Sequence, residues 1–365
     1  MKIEDKEYTS IWRESSHPNA VFVIDQRKLP FLFETKLLNS SKMVFQAIQE
    51  MWVRGAPLIG VTGAYGIYLG CHEMMCTQKD IHYLRDVSRH LLSARPTAIN
   101  LKYGIERVMD VIANFGIRDG VTEAALKAAD DLRDEEIERS SGIGENGVQL
   151  LNQIYQKTKK PVQILTHCNA GWLACVDYGT ALAPVYKAQE QGIPVHVYVD
   201  ETRPRNQGSR LTAWELEKSG IPHTIIADNT GGFLMAKNMV DIVIVGSDAM
   251  SINGDIINKI GTYLKALAAK DNDVPFYAAL PISTINREIN DALNDTVIEL
   301  RSDDEIRYVE GWNGKEISSV RITPENSGVL NYGFDITPSR LVTGIITESG
   351  IYSTQKEALQ QILNQ

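Results

Sequence analysis

The hydrophobic period of the chain changes once, near residue 160. Before that point apolar residues recur at three- and four-residue spacing in "SSKMVFQAIQEMWV", "PLIGVTGAYGIYLGCHEMM", "DIHYLRDVSRHLLSA", "LKYGIERVMDVIANF" and "TEAALKAADDLRDEEIERS", which predicts successive helices. Pro57 suits a first helical position, because its fixed φ fits a helix start and its missing N–H is not needed there. Ahead of the helices, "AVFVIDQRKLPFLFE" predicts a short strand pair. Beyond residue 160 the runs "VQILTHC", "PVHVYVDE", "HTIIAD", "DIVIVGSD" and "PFYAALP" are short and rich in Val and Ile, with helical segments between them. Such runs suit strands buried on both faces, and the alternation suits βαβ units. The second half is therefore expected to be a doubly wound α/β domain with a parallel sheet, finished by a strand-to-helix tail. The Gly- and Ser-containing stretch at 140–147 is the best boundary candidate, which gives domains of 1–140 and 141–365.

Composition alters this picture little. A length of 365 residues fits about two domains. The net charge of −9 argues against broad non-specific binding to nucleic acid, while leaving room for a local anion pocket. Four cysteines in so long a chain do not make a disulfide framework, so a cytoplasmic setting is expected. The start "MKIEDKEYTSIW" shows no secretory signal, and no apolar run approaches a membrane span.

Chemistry gathers where the predicted strands end. Thr166, His167, Cys168 and Asn169 end the first strand, Asp200 to Arg203 the second, Asp228 and Asn229 the third, and Asp248 the fourth; Pro281, Ser283 and Thr284 follow the fifth. A lone Asp there is an ordinary helix cap. Together these residues form one rim, and ligands of open α/β sheets bind at that rim. Cys168 is expected at the start of a helix, whose dipole favours thiolate and fits it to act as nucleophile or proton-transfer base. Cys175 reads as core of the same helix. Adjacent strand residues point to opposite faces, which disfavours a Cys168–His167 dyad. Asp248, partly withdrawn from water, suits a general acid. "NGD" is then expected to open a helix that brings Asn258 and Lys259 round together. Anion cradles are offered by "RGAP" (Arg54, Gly55, Ala56 at a helix start), by Arg95 in "ARPTAIN", and by the loop holding Arg203, Arg205, Gln207 and Arg210. "GIGENG" spells a dinucleotide fingerprint but follows a charged helical run rather than a strand. "CHEMMC" lies in an apolar helical run without a second ligand pair and reads as core, not metal.

The segments "RGAPLIG", "ARPTAIN", "ILTHCNAG", "DETRPRNQGSRLTAWEL", "VGSDAMSINGDIINKIGTY", "PFYAALPISTI" and "FDITPSRLVTGIITESG" together resemble the methylthioribose-1-phosphate isomerase family. They follow in the same order from about residue 50 to 350. The wider superfamily also holds ribose-1,5-bisphosphate isomerases and regulatory subunits of a translation-initiation nucleotide-exchange factor. The resemblance implies an aldose–ketose isomerase of methionine salvage. It also implies a homodimer, with a mainly helical N-terminal domain and a Rossmann-like catalytic domain. By motif position it puts the catalytic pair on Cys168 and Asp248. Substrate-binding residues fall on Arg54, Gly55, Ala56, Arg95, Gln207, Asn258 and Lys259. No metal or redox cofactor is required, and no nucleic-acid or membrane partner is implied. The helical domain is expected to close over the rim and hold the substrate phosphate. Departures are Ala249 where the family usually has Arg, Ala170 where it has Thr, and off-pattern "RNQG", "DNTGGFLM" and "DQRKLPF". They leave 5-deoxyribose 1-phosphate as an alternative substrate, and a non-catalytic sugar-phosphate or nucleotide sensor as an alternative role.

Overall fold

The computed structural model describes residues 1–3, 6–96 and 98–363, so Thr97 of "ARPTAIN" lies outside the described residues. The chain divides into two compact units. The first comprises Met1–Arg27, Phe33–Ser140 and Trp172–Gly179. It opens with the paired strands β1 (Lys2–Ile3) and β2 (Lys6–Glu7). An antiparallel sheet follows, ordered β3 (Ile11–Trp12), β4 (Val21–Ile24), β5 (Thr35–Leu38). Only β4 lies inside the segment expected to hold a strand pair. Its partner begins just past that segment, because residues 26–30 form turns.

Helices α1 (Ser41–Gln49), α2 (Ala56–Cys76), α3 (Ile81–Ala94), α4 (Ile99–Phe115) and α5 (Val121–Thr158) match the helical periodicity. The second of these is apolar on every side and forms the centre of the unit. Its small residues permit close helix contact: a Cβ on Gly104 would overlap the Gly60 carbonyl. The segment Trp172–Gly179 is buried here too, tied by Gln26 Nε2 donating to the Leu173 carbonyl at 2.6 Å and Ser10 Oγ to that of Trp172 at 2.7 Å. Cys71 and Cys175 are buried and pack as core.

The second unit comprises Lys28–Leu32, Ser141–Gly171 and Thr180–Gln365. Here run β6 (Val162–Thr166), α6 (Ala183–Glu190), β7 (Val195–Asp200), α7 (Ala213–Lys218), β8 (His223–Ile226), α8 (Thr230–Ala236) and β9 (Ile242–Val245). Next come the hairpin strands β10 (Ala249–Ser251) and β11 (Ile256–Lys259), then α9 (Thr262–Asp271), β12 (Phe276–Ala279) and β13 (Ile285–Asn286). Short helices α10 (Ala292–Asp295) and α11 (Asp304–Arg307) precede a second hairpin, β14 (Tyr308–Trp312) and β15 (Ile317–Arg321). The tail holds β16 (Phe334–Thr337), β17 (Gly344–Thr347), β18 (Gly350–Tyr352) and α12 (Lys356–Leu363).

The main sheet has the order β18-β17-β12-β9-β6-β7-β8, with every pairing parallel except the edge hairpin β17–β18. Its central strands are apolar on both faces, β9 being buried at all four residues, as a parallel sheet covered by helices requires. The strand order reverses at β6 and β9, which are neighbours although the chain visits β7 and β8 between them. A smaller sheet, β13-β10-β11-β16, follows directly from the carboxyl ends of β9 and β12.

The two units divide between Ser140 and Ser141, at the expected boundary stretch, but 140–147 lies within the continuous helix α5. Its glycines let that helix approach its neighbours within the second unit. A Cβ on Gly144 would lie 2.8 Å from Lys187 Cγ, and one on Gly147 would overlap the Pro184 ring. In an open helix interior, Gly→Ala stabilises by about 1 kcal/mol. Here the sign reverses: Gly147→Ala is expected to lower the thermal unfolding midpoint, read by circular dichroism. A raised midpoint would mean that the close contact is not tight.

Candidate functional site

The strands β6 and β9 flank the point where the sheet order reverses, the position at which open α/β sheets bind ligands. Cys168 follows β6 and Asp248 follows β9, so the two leave the carboxyl ends of adjacent parallel strands. Both are half-buried.

No helix begins at Cys168, contrary to expectation. The chain turns there in the left-handed region, with φ +67°. It then runs through Asn169–Gly171 to a three-residue 3₁₀ turn at Trp172–Ala174, so a helix dipole does not act on the thiol. Cys175 accordingly lies in a bend rather than a helix. A non-glycine residue in this conformation costs on the order of 1–3 kcal/mol and persists only where its surroundings fix it. Here two threonines do so. The Cys168 N–H donates to Thr202 Oγ1 at 2.9 Å, and its carbonyl accepts from Thr212 Oγ1 at 2.7 Å.

Thr202, itself at φ +66°, donates its N–H to Asp228 Oδ1 at 2.7 Å and its hydroxyl to the Asp200 carbonyl at 3.0 Å. Asp228 Oδ2 accepts the Arg203 N–H at 2.7 Å. Past the cysteine, Asn169 Nδ2 donates to Glu215 Oε1 at 2.9 Å, and Tyr186 OH to Glu215 Oε2 at 2.8 Å. A Cβ on Gly171 would overlap that carboxylate, and one on Gly246 would lie 2.7 Å from the Ala170 methyl. Gln207, Asn258 and Lys259 are all buried. Among the described residues the side-chain oxygen of Gln207 has no hydrogen-bond partner; it lies beside the π-helical turn Gly208–Thr212 that packs on the end of β7.

"NGD" opens a β-hairpin rather than a helix, with Gly254 at φ +87° in the turn. Asn253-Gly254 is itself a hairpin signal, since tight hairpin turns need positive φ. Asn258 and Lys259 therefore lie on β11. The register pairs Ala249 with Ile257, which places Asp248 opposite Asn258, and the Asp248 N–H donates to the Ile257 carbonyl at 2.9 Å. Asn258 Nδ2 donates to Thr262 Oγ1 at 3.0 Å. Lys259 Nζ donates to the Gly333 carbonyl at 2.7 Å and sits 4.5 Å from the Phe334 ring centre. Burial pushes the Lys259 pKa below its ordinary value, against the opposing pull of negative charge on Cys168 and Asp248. The ammonium thus stands close enough to both groups to attract the charge either one carries.

His167 does not pair with Cys168. Its Nδ1 is 2.8 Å from Asp200 Oδ2 and its Nε2 is 2.8 Å from the Ile260 carbonyl. Ligand atoms of His167, Asp200 and Asp228 lie within 4.8 Å of one another, the spacing of a metal cluster. The cation there is Lys265, whose Nζ is 2.9 Å from Asp200 Oδ2, and both Asp228 oxygens already accept backbone N–H groups.

Arg54, Gly55, Ala56 and Arg95 belong to the first unit. Gly55 caps α2 with φ +92°, and a Cβ there would overlap the Ala174 carbonyl. Arg54 precedes this helix start and Arg95 caps the end of α3; both are half-buried. The other arginine loop is structural. Arg203 donates to the carbonyls of Pro204 and Ile306 at 2.7 and 3.1 Å, Arg205 to Glu305 at 2.8 Å, and Arg210 to Glu310 at 2.8 Å and the Leu29 carbonyl at 3.2 Å.

The chain matches the model of the "Initiation factor 2 subunit family" over residues 52–354. It is 49% identical over 363 residues to a methylthioribose-1-phosphate isomerase of Desulfatibacillum aliphaticivorans, covering 99% of this chain and 98% of the relative. It is 50% identical to that of Rhizobium meliloti (strain 1021), with 99% of each covered. The crystal structure of 5-methylthioribose 1-phosphate isomerase from Pyrococcus horikoshii OT3 superposes with a TM-score of 0.85 at 32% identity, over 98% of this chain and 96% of that one. The A. fulgidus translation initiation factor eIF-2B delta subunit superposes with a TM-score of 0.80 at 38% identity, over 98% and 100%.

The carboxylate that anchors Arg205 gives a pH test. Burial raises the Glu305 pKa, but hydrogen bonds from Arg301 and Arg205 outweigh it and bring it from 4.5 to about 2. A depressed carboxyl pKa contributes stability that is present above the unfolded value and lost as pH falls through the folded one. The shift corresponds to about 3 kcal/mol. Glu305→Gln should therefore destabilise at neutral pH, and its gap from the wild type should close between pH 4.5 and 2 in urea titrations. A gap independent of pH would contradict the assignment.

Proposed function

The chain belongs to the initiation factor 2 subunit family, and from that membership we propose that it is a methylthioribose-1-phosphate isomerase, an aldose–ketose isomerase of methionine salvage. The observation that carries this reading is the near-half identity to isomerases along whole chains. The placement of Cys168 and Asp248 on the two strands flanking the sheet's reversal supports it.

The substrate's anomeric carbon carries phosphate, so its ring does not open as a free aldose does. In the proposed reaction Asp248, as the acid, delivers a proton to the ring oxygen while the bond from C1 to that oxygen breaks. A hydrogen then moves from C2 to C1, either as a proton that Cys168 takes from C2 and returns to C1 of the enol so formed, or as a hydride that shifts directly to the C1 cation with Cys168 steering it. The C2 hydroxyl gives up its proton to restore the acid and becomes the ketone. The phosphate stays on C1, and no atom is gained or lost. Lys259 holds negative charge in the site, and Asn258 and Gln207 bind sugar hydroxyls. Arg54, with the helix start at Gly55 and Ala56, and Arg95 bind the phosphate. The reaction as drawn uses no metal or redox group.

The match to an initiation-factor subunit supports a second reading, a sugar-phosphate or nucleotide sensor without catalysis. A sensor has no use for Cys168 or Asp248, which favours the enzyme. Ala249, on β10 beside Asp248, and Ala170 keep 5-deoxyribose 1-phosphate open as a substrate. We further infer a cytoplasmic homodimer, checked by sedimentation at working concentration. Among the described residues no helix is long and apolar enough to cross a membrane.

Incubation with methylthioribose 1-phosphate and with 5-deoxyribose 1-phosphate, followed separately by NMR, is expected to give the ketose from the first at the higher kcat/KM. No ketose from either supports the sensor. Cys168→Ser and Asp248→Asn should each lower kcat at least about a hundredfold. Turnover near normal in either removes that residue from the mechanism. Arg54→Ala and Arg95→Ala should chiefly raise KM, and an unchanged KM in both would remove them from the phosphate site.

A further inference from the structure

A second group of side chains lies directly behind the site. His167 is 1% exposed, Asp200 0% and Lys265 4%. Charged groups so far from water are costly unless they are paired and hydrogen-bonded; here Asp200 Oδ2 takes both partners, and among the described residues Oδ1 has no hydrogen-bond partner. Both partners of the imidazole, the Asp200 carboxylate and the Ile260 carbonyl, accept hydrogen bonds, and a doubly protonated ring donates to both. Lys265 Nζ shares the same Asp200 oxygen at 2.9 Å. Asp335 completes the group from β16. Its Oδ2 accepts the Gly261 N–H at 2.7 Å and its carboxylate accepts the Tyr263 N–H at 3.2 Å, while His167 and Lys265 both act on its charge. The turn over the ring leaves no spare room: Gly261 is at φ +105°, and a Cβ there would lie 3.0 Å from the imidazole.

The chain positions make this arrangement informative. His167 immediately precedes Cys168, and Ile260 immediately follows Lys259. One ring therefore joins the end of β6 to the end of β11, one residue from the thiol on one side and one residue from the ammonium on the other. We propose that His167, oriented by Asp200 and Lys265, is a positioning residue that sets the separation between the Cys168 sulfur and the Lys259 ammonium. It touches no substrate atom. Its action is through Cys168, so the inference rests on the role proposed for that residue. Misplacement of a reacting group by about 1 Å costs as much as about a hundredfold in rate.

The test uses His167→Gln, which keeps one amide donor, and Lys265→Met, which keeps the buried stem. Steady-state kinetics, thermal unfolding and the rate of Cys168 alkylation by iodoacetamide, read on its peptide by mass spectrometry, are measured on each. The expected result is a kcat lowered about ten- to a hundredfold with KM within about twofold. The Cys168 alkylation rate at neutral pH should also change severalfold in protein that remains folded. An unchanged kcat and alkylation rate in a folded variant would overturn the proposal, as would failure of both variants to fold, which would make the group purely structural. If the wild type isomerises neither sugar phosphate, the function fails separately, and the alkylation rates still decide whether His167 sets the state of Cys168.

Discussion

The left-handed turn at Cys168 is the constraint on which the site depends. A cysteine does not adopt it freely, and two threonine hydroxyls from the connection between β7 and α7 hold it there. Thr202 is itself held through its N–H by Asp228 and through its hydroxyl by the end of β7. Thr212 belongs to the π-helical turn that only a glycine at 208 allows to press on β7. The thiol's position is thus fixed by three strand ends at once, those of β6, β7 and β8. Parallel pairing brings these ends into line, and the reversal of strand order leaves room beside them for Asp248.

Electrostatics then follows from burial. Lys259 is withdrawn from water on β11, and its ammonium is met by one carbonyl and one aromatic face, with Cys168 and Asp248 near enough that charge on either acts on it. The His167–Asp200–Lys265 group behind it supplies a further fixed framework in which Asp200 Oδ2 faces both His167 Nδ1 and Lys265 Nζ and the imidazole reaches on to the Ile260 carbonyl. A site of this kind spends little on reorganisation, because its dipoles and charges are already placed before a ligand arrives.

Much of this was legible in the sequence, and the failures share a cause. The central strands of the parallel sheet stood out because they are buried on both faces, although the edge strand β8 is exposed at Thr224 and Ile225, and the polar rim stood out because each run ends in chemistry. Apolar residues after Cys168 looked like a helix, yet Trp172–Val176 is apolar because it crosses into the core of the other unit as a 3₁₀ turn and bends. Burial alone does not report period. The turn residues Asn253 and Gly254 carried the hairpin signal that reveals β10 and β11, and those strands, buried at every residue, are too short to announce themselves by pattern. Gly142, Gly144 and Gly147 looked like punctuation but are contacts in a continuous helix. Thr202 and Asp228 were legible as rim residues but not in the roles they take, and Thr212 and Glu215 were beyond reach, because those roles depend on bonds between strand ends that sequence spacing does not encode. Arg203, Arg205 and Arg210 were drawn toward an anion by their clustering, whereas acidic groups and carbonyls distant in sequence already hold them.

The central claim is that the left-handed turn at Cys168, held by the Thr202 and Thr212 hydroxyls, is what presents its thiol for reaction. Turnover of the double variant Thr202→Val, Thr212→Val, with thermal unfolding recorded beside it, measures this directly. The account predicts a kcat lowered about a hundredfold in protein that remains folded. Normal turnover in the folded variant would contradict it.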